Sequence, residues 1–112
     1  MTEAPVRIGL DEARVTPPRA GRASALLLAH GSLELRYYAP RGRDPQTPHS
    51  RDELYVVASG VGWFVRGGAR ARFGPGDALF VPAGVEHRFE EFSDDFAAWV
   101  VFYGPEGGEA SR

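Results

Sequence analysis

The chain of 112 residues contains no cysteine, no lysine and no asparagine. The absence of cysteine excludes disulfide bonds, thiol nucleophiles and thiolate-ligated metal sites. The absence of lysine excludes a Schiff base formed by a side chain, and with it lysine-anchored pyridoxal chemistry. Any chemistry must therefore depend on histidine, carboxylate, tyrosine or hydroxyl groups, or on a metal ion that such groups bind.

Charge and hydropathy argue against two classes of partner. The formal net charge of -2 offers no general attraction to nucleic acid or to an anionic membrane. The longest apolar run, Phe96 to Tyr103, is too short to cross a bilayer as a helix. The N-terminus has no cationic segment followed by an apolar region. We therefore expect a cytoplasmic protein with no nucleic-acid or membrane partner.

The length suits one domain that occupies residues 1–112. A hydrophobic content of 43% is enough to fill a core, which argues against disorder. The two ends differ in character from the middle. A segment rich in proline and glycine leads into the domain over about residues 1–24, and a flexible tail is expected over about residues 104–112.

Between these ends, short β-type runs alternate with turn signals. This pattern is typical of an all-β sandwich or barrel, and no strong helical period occurs. The Gly67-Gly68 pair fits a two-residue hairpin, and segment 74–77 (GPGD) fits a turn with positive φ at glycine. The predicted strands are Ala25–Ala29, Leu33–Ala39, Glu53–Ser59, Val61–Arg66, Ala69–Phe73, Ala78–Val81, Val85–Glu90 and Phe96–Tyr103.

Two stretches of these strands, residues 54–58 and 96–102, are apolar on both faces. A strand that is apolar on both faces is covered on both sides. In a small barrel the second cover is another sheet or another subunit, so we expect a homodimer. The alternative cover is the N-terminal segment up to Ala29, folded back onto the sheet.

Two segments carry histidine and carboxylate groups that can converge. Alternation along the strand places Glu53 and Tyr55 on one inward face, where a carboxylate needs a partner or a cation. His87 also shares its face with apolar residues, and His49 precedes Glu53 in a proline-containing segment. On inward faces of neighbouring strands, two imidazoles and a carboxylate would form a facial triad that suits Fe(II) and related ions. The alternative is a barrel without metal in which Glu53 pairs with an arginine.

The same two segments resemble the two motifs of the cupin family. Segment 49–60 (HSRDELYVVASG) resembles the second half of cupin motif 1, and segment 76–91 (GDALFVPAGVEHRFEE) resembles cupin motif 2. The resemblance covers about residues 33–103. The positions that match the motifs are His49, Glu53 and Gly60 in the first, and Gly76, Pro82, Gly84 and His87 in the second.

The resemblance implies a double-stranded jelly-roll β-barrel, often a homodimer, with one divalent metal ion per chain inside its mouth. It implies that His49, Glu53 and His87 ligate this ion, whose identity (Fe, Mn, Zn, Ni or Cu) stays open. This sequence departs from the family at two positions. Thr47 stands where motif 1 has its first histidine, and Glu91 stands where motif 2 has asparagine.

Three further residues are additional candidates for the site. Gln46 or Thr47 can reach a metal through a side-chain oxygen in place of the missing histidine, or water can fill that position. Tyr55 is a candidate because it shares the face of Glu53. No residue is assigned a catalytic role from the sequence.

Cupins include oxygenases, isomerases, decarboxylases and proteins that only bind ligands, so the resemblance does not choose a reaction. We expect a metal-dependent protein that acts on a small organic molecule. Among the possible reactions we favour a dioxygenase-like one, because two histidines and one glutamate leave coordination positions free for oxygen and substrate. The alternatives are a non-catalytic barrel that binds a small ligand as a sensor or carrier, and a barrel whose site is vestigial.

Overall fold

A computed structural model describes residues 5–110. Residues 1–4 of the predicted leading segment and residues 111–112 of the predicted tail lie outside this range. None of the helical structure within it is long and apolar enough to traverse a bilayer. The elements are α1 (Leu10–Val15), β1 (Ala25–His30), β2 (Leu33–Tyr38), β3 (Asp52–Ser59), β4 (Gly62–Arg66), β5 (Ala69–Phe73), β6 (Ala78–Val81), β7 (His87–Glu90) and β8 (Ala97–Tyr103).

The strands form two antiparallel sheets that enclose the core. One sheet has the order β1-β2-β8-β3-β6, and the other has the order β5-β4-β7. Inward side chains of both sheets, including Tyr55 and Val57 of β3 and Phe89 of β7, are buried in one cluster. The all-β jelly-roll prediction is therefore confirmed. Each predicted strand is found with its bounds shifted by about two residues or less.

The largest shift is at β7, which begins two residues later than predicted. The backbone N–H of Val85 bonds to the carbonyl of Pro82 at 3.3 Å, and Gly84 between them has a φ of 79°. Val85 therefore closes a turn instead of continuing the strand. As a result His87 is the first residue of β7, directly after a well-defined turn.

The outer face of the five-stranded sheet is covered in part by the chain's own N-terminal segment. Ala13 of α1 is fully buried against Tyr37 of β2 and Ala97 of β8, with Trp99 packed beside them. This contact is the alternative cover expected from the sequence, and it accounts for apolar residues that would otherwise need a partner chain. The homodimer stays a prediction.

The described part of the predicted tail returns to the start of β3. The Gly107 N–H bonds to the Ser50 carbonyl at 2.7 Å, and the Glu109 N–H bonds to Asp52 Oδ2 at 2.8 Å. The other oxygen of Asp52, Oδ1, accepts a hydrogen bond from the Ala83 N–H at 2.9 Å. The Glu109 and Ala83 N–H groups lower the pKa of Asp52, because they stabilise its charged form.

The glycine of motif 1 has a steric role at the end of β3. Gly60 has a φ of +87°, and a Cβ added there would lie 2.5 Å from Phe96 Cα. The positive φ alone costs a larger residue about 1–3 kcal/mol. Since the clash is with backbone that cannot move aside, we expect Gly60→Ala to cost more than this and to lower the melting temperature measured by circular dichroism.

The matched control is Gly68→Ala in the β4–β5 hairpin, where an added Cβ meets nothing within 4 Å. This variant should melt close to the wild type. Equal melting temperatures for the two alanine variants would contradict the role assigned to Gly60.

Candidate metal centre

The three predicted ligands come from three parts of the fold. Glu53 is the second residue of β3, which lies between β6 and β8, and His49 lies in the loop before β3. His87 begins β7, in the other sheet. The expectation of neighbouring strands is therefore wrong, because β3 and β7 face each other across the barrel. The ligands nevertheless converge, since inward side chains of both sheets meet at the same mouth.

Hydrogen bonding fixes the direction of His87. Its side chain is fully buried, and its Nδ1 lies 3.0 Å from the Val85 carbonyl oxygen. A carbonyl only accepts hydrogen bonds, so Nδ1 carries the proton that it donates. In the neutral ring Nε2 then presents its lone pair to the interior of the site, as metal-binding histidines do.

His49 is held by its backbone and by ring packing. Its carbonyl accepts a hydrogen bond from the Gly84 N–H at 2.7 Å, which joins the loop to the turn before β7. Its ring packs edge-on against Phe102 with centroids 5.0 Å apart. The side chain remains 33% exposed, so water can reach this ligand, whereas it cannot reach His87.

Glu53 carries the electrostatic constraint of the site. The residue is 1% exposed, and its Oε1 lies 3.1 Å from His87 Nε2 and 3.7 Å from His49 Nε2. Neither contact has hydrogen-bonding geometry, and Oε1 has no hydrogen-bond partner among residues 5–110. A buried carboxylate oxygen without a hydrogen bond is costly unless a cation offsets its charge. The cation is either a proton on an imidazole or a metal ion.

The donor set fits a divalent metal. His49, Glu53 and His87 each offer one ligand atom, and these atoms all lie within 4.8 Å of one another. Two imidazole nitrogens and one carboxylate oxygen suit Fe(II), Mn(II), Zn(II) and similar ions. The orphaned Glu53 oxygen points into the cluster, where a cation would supply its missing partner. The three residues predicted from the sequence can thus hold one metal ion, whose identity they leave open.

The additional candidates divide into two inner residues and one rim residue. Gln46 Oε1 accepts a hydrogen bond from Tyr55 Oη at 2.7 Å and lies 3.3 Å from His49 Nε2. Tyr55 Oη also lies 3.2 Å from His87 Nε2. Thr47 is exposed and lines only the cavity above the cluster. Of the two candidates for the missing histidine, it is Gln46 that reaches the other ligands.

Asp44 is a residue that the sequence analysis missed. Its Oδ2 accepts hydrogen bonds from Gln46 Nε2 at 3.0 Å and from the Phe89 N–H at 2.7 Å. Its Oδ1 accepts a hydrogen bond from the Tyr38 hydroxyl. Asp44 therefore orients the Gln46 amide so that the oxygen faces the ligand cluster. No motif or spacing marks this residue, and only the tertiary contacts reveal it.

The pKa shifts of the site follow from burial and from Glu53. Burial lowers the pKa of His49 and outweighs the opposing effect of Glu53. Burial would also lower the pKa of His87, but the Glu53 carboxylate and the Val85 carbonyl together favour the protonated ring, so this pKa is raised. Burial and the Glu53 charge raise the pKa of Tyr55 well above its usual value, so its hydroxyl keeps its proton at neutral pH.

A cavity of about 180 Å³ opens above the cluster. It is smaller than the roughly 300–1,000 Å³ typical of sites for drug-sized ligands, so it suits a small molecule. His49 and Glu53 lie in its wall together with Gln46, Phe102 and Arg22. A molecule in this cavity would contact His49 and Glu53 directly, whereas the buried His87 does not line it.

A small two-sheet β-barrel with a histidine–glutamate–histidine cluster at its mouth defines the class of this protein. Residues 35–103 match the cupin domain family, which confirms the resemblance seen in the sequence. The chain belongs to the cupin family.

Comparison with individual proteins supports the fold. An uncharacterized protein of Streptomyces coelicolor is 41% identical over 63 residues, which are 56% of this chain and 60% of that protein. The matched part of this chain therefore covers only 60% of the length of that relative. A Klebsiella pneumoniae protein with a double-stranded β-helix domain aligns with a TM-score of 0.70 and 18% identity, over 88% of this chain and 90% of that chain. A predicted oxalate decarboxylase of Thermotoga maritima aligns with a TM-score of 0.58 and 23% identity, over 71% of this chain and 77% of that chain.

The raised pKa of His87 predicts how metal binding depends on pH. An imidazole must be neutral to ligate a metal, and a free imidazole has a pKa of about 6.5. The pKa of His87 is raised above this value, so the ring takes up a proton at a higher pH than a free imidazole does. As the pH falls through the raised pKa, a metal ion must displace that proton in order to bind. We expect calorimetric titration with Zn(II) to show that, as the pH is lowered, the affinity begins to decline while the pH is still above about 6.5. Constant affinity from about pH 8 down to about pH 6 would contradict the assignment of His87 as a ligand.

Proposed function

We propose that this cupin binds one divalent metal ion per chain through His49, Glu53 and His87, and that it acts through this ion on a small organic molecule. The observation that carries the proposal is the buried Glu53 oxygen, which faces two imidazole nitrogens and has no hydrogen-bond partner among the described residues. A structural ion pair would instead be expected to satisfy this oxygen with a well-aligned donor.

The metal would supply a Lewis acid with coordination positions open to substrate. The remaining roles belong to the chain itself. Glu53 offsets the charge of the cation in an apolar surrounding. Tyr55 holds a proton at Oη, donated to Gln46 Oε1, and this proton lies beside the ligand cluster. Phe102 forms an apolar wall of the cavity and limits the access of water from that side.

For the reaction itself we propose dioxygenase-like chemistry first, because a three-ligand site leaves room for both oxygen and substrate. The alternative is a barrel that binds its small ligand without turnover. Both hypotheses use the same metal site. They are distinguished by measuring oxygen consumption, which should accompany loss of the small molecule only if the protein is a dioxygenase. The similarity to the Thermotoga maritima protein extends to the fold, so its decarboxylase assignment is not transferred to this chain.

The test is metal content and melting temperature of the purified protein. We expect about one divalent ion per chain after reconstitution, and a lower melting temperature after treatment with a chelator, because binding to the native state stabilises it by about 2.7 kcal/mol at a hundredfold excess over Kd. His87→Ala should abolish binding, since no water can reach this buried position. His49→Ala should only weaken binding, because water can occupy the exposed side of the site.

Glu53→Gln separates a functional site from a structural one. We expect this variant to lose metal binding severely and yet, without metal at about pH 8, to melt no lower than the wild type, because it removes an unpaired buried charge. The matched control is His30→Ala, which replaces an exposed histidine at the end of β1. If the wild type binds no metal and its melting is insensitive to chelator, the proposal is wrong.

A further inference from the structure

The segment before β1 brings two arginines to the mouth of the barrel. The Arg22 N–H bonds to the Arg19 carbonyl at 3.0 Å, and this closes a turn in which Gly21 has a φ of 80°. Glycine adopts this conformation without strain, so the sequence favours the turn. The turn places Arg22 in the wall of the cavity that contains His49 and Glu53, and it places Arg19 in the wall of an adjoining pocket.

Arg22 stands between two hollows. It lines the cavity above the metal centre, and it also lines an adjoining pocket of about 160 Å³. This second pocket is bounded by Arg19, Arg22 and Arg36, with Ser24 and Leu26, and it includes no acidic side chain. The two hollows share Arg22 and Ser24, so they form adjacent parts of one opening.

The charge of this arginine pocket is only partly offset. Arg36 is 5% exposed and pairs with Glu34, with Nε 2.9 Å from Oε1, while its Nη1 donates to the Ser24 carbonyl at 3.2 Å. Glu34 is shared with Arg51, whose Nη2 lies 3.3 Å away. Among residues 5–110 no carboxylate lies within ion-pairing distance of Arg19 or Arg22. A positive excess therefore faces the pocket.

We propose that the arginine pocket binds the anionic group, a carboxylate or a phosphate ester, of a small organic molecule whose other end reaches the metal centre. This inference rests on the proposed function, and it assigns the substrate class to small organic anions. Guanidinium groups bind carboxylates and phosphates through paired hydrogen bonds. A cluster of three arginines around one pocket therefore suits anion binding. Arg22 is the central residue because it contacts both hollows.

Three probes of similar size test the proposal: glycerate, glycerol 3-phosphate and glycerol. We expect the reconstituted protein to bind at least one of the two anions in calorimetry and to bind neutral glycerol much more weakly. Which anion binds tells whether the natural ligand carries a carboxylate or a phosphate. Arg22→Gln should weaken anion binding by about tenfold or more, because it removes a charged donor pair. Arg19→Gln should weaken it less.

The matched control is Arg72→Gln, which makes the same charge change at an exposed position on β5, in the other sheet. It should bind the anion as the wild type does. Equal binding by Arg22→Gln and the wild type, binding of glycerol as tight as that of the anions, or no binding of either anion would each overturn the proposal.

A second measurement separates this inference from the proposed function. In protein loaded with Mn(II), the bound anion should show paramagnetic relaxation of its protons in nuclear magnetic resonance, since the two hollows adjoin. Anion binding without such relaxation in metal-loaded protein would overturn the claim that the molecule reaches the metal. If the protein takes up no metal but Arg22 still governs anion binding, the arginine pocket is supported and the metal proposal fails.

Discussion

The structure depends most on one buried carboxylate that has no hydrogen-bond partner for its Oε1 among the described residues. Glu53 lies on a central strand and shares its inward face with Tyr55 and Val57, both of which are buried in the core. The side chain cannot turn to solvent without moving that core, so a cation must come to it. The mouth of the barrel brings two imidazoles to this oxygen, one from each side of the structure.

Backbone hydrogen bonds around the mouth tie these ligands to one another. The turn before β7 donates N–H hydrogen bonds to the His49 carbonyl and to the Asp52 carboxylate, which also accepts a bond from the Glu109 N–H. The loop that carries one histidine and the turn that precedes the other are therefore joined directly. A site held in this way keeps its ligand directions before a metal binds, which reduces the entropy lost on binding.

The alternation of apolar residues was sufficient to predict the strands and the inward direction of Glu53 and His87, because a strand fixes side-chain direction with a period of two. It did not predict α1, since six residues are too few for a helical period to stand out. The packing of β3 against β7 across the barrel, and the contacts of Asp44 and Arg22, depend on how loops and sheets fold together. No spacing rule describes such contacts between distant segments.

X-ray absorption spectroscopy at the zinc edge of zinc-loaded protein tests the central claim most directly. The account predicts a shell of nitrogen and oxygen ligands at about 2.0–2.2 Å with the outer scattering of two imidazoles, because two histidines and one glutamate would ligate the ion. In His49→Ala, which should retain weakened binding, one imidazole contribution should disappear. A spectrum without imidazole scattering, or one that His49→Ala leaves unchanged, would contradict the metal centre proposed for this cupin.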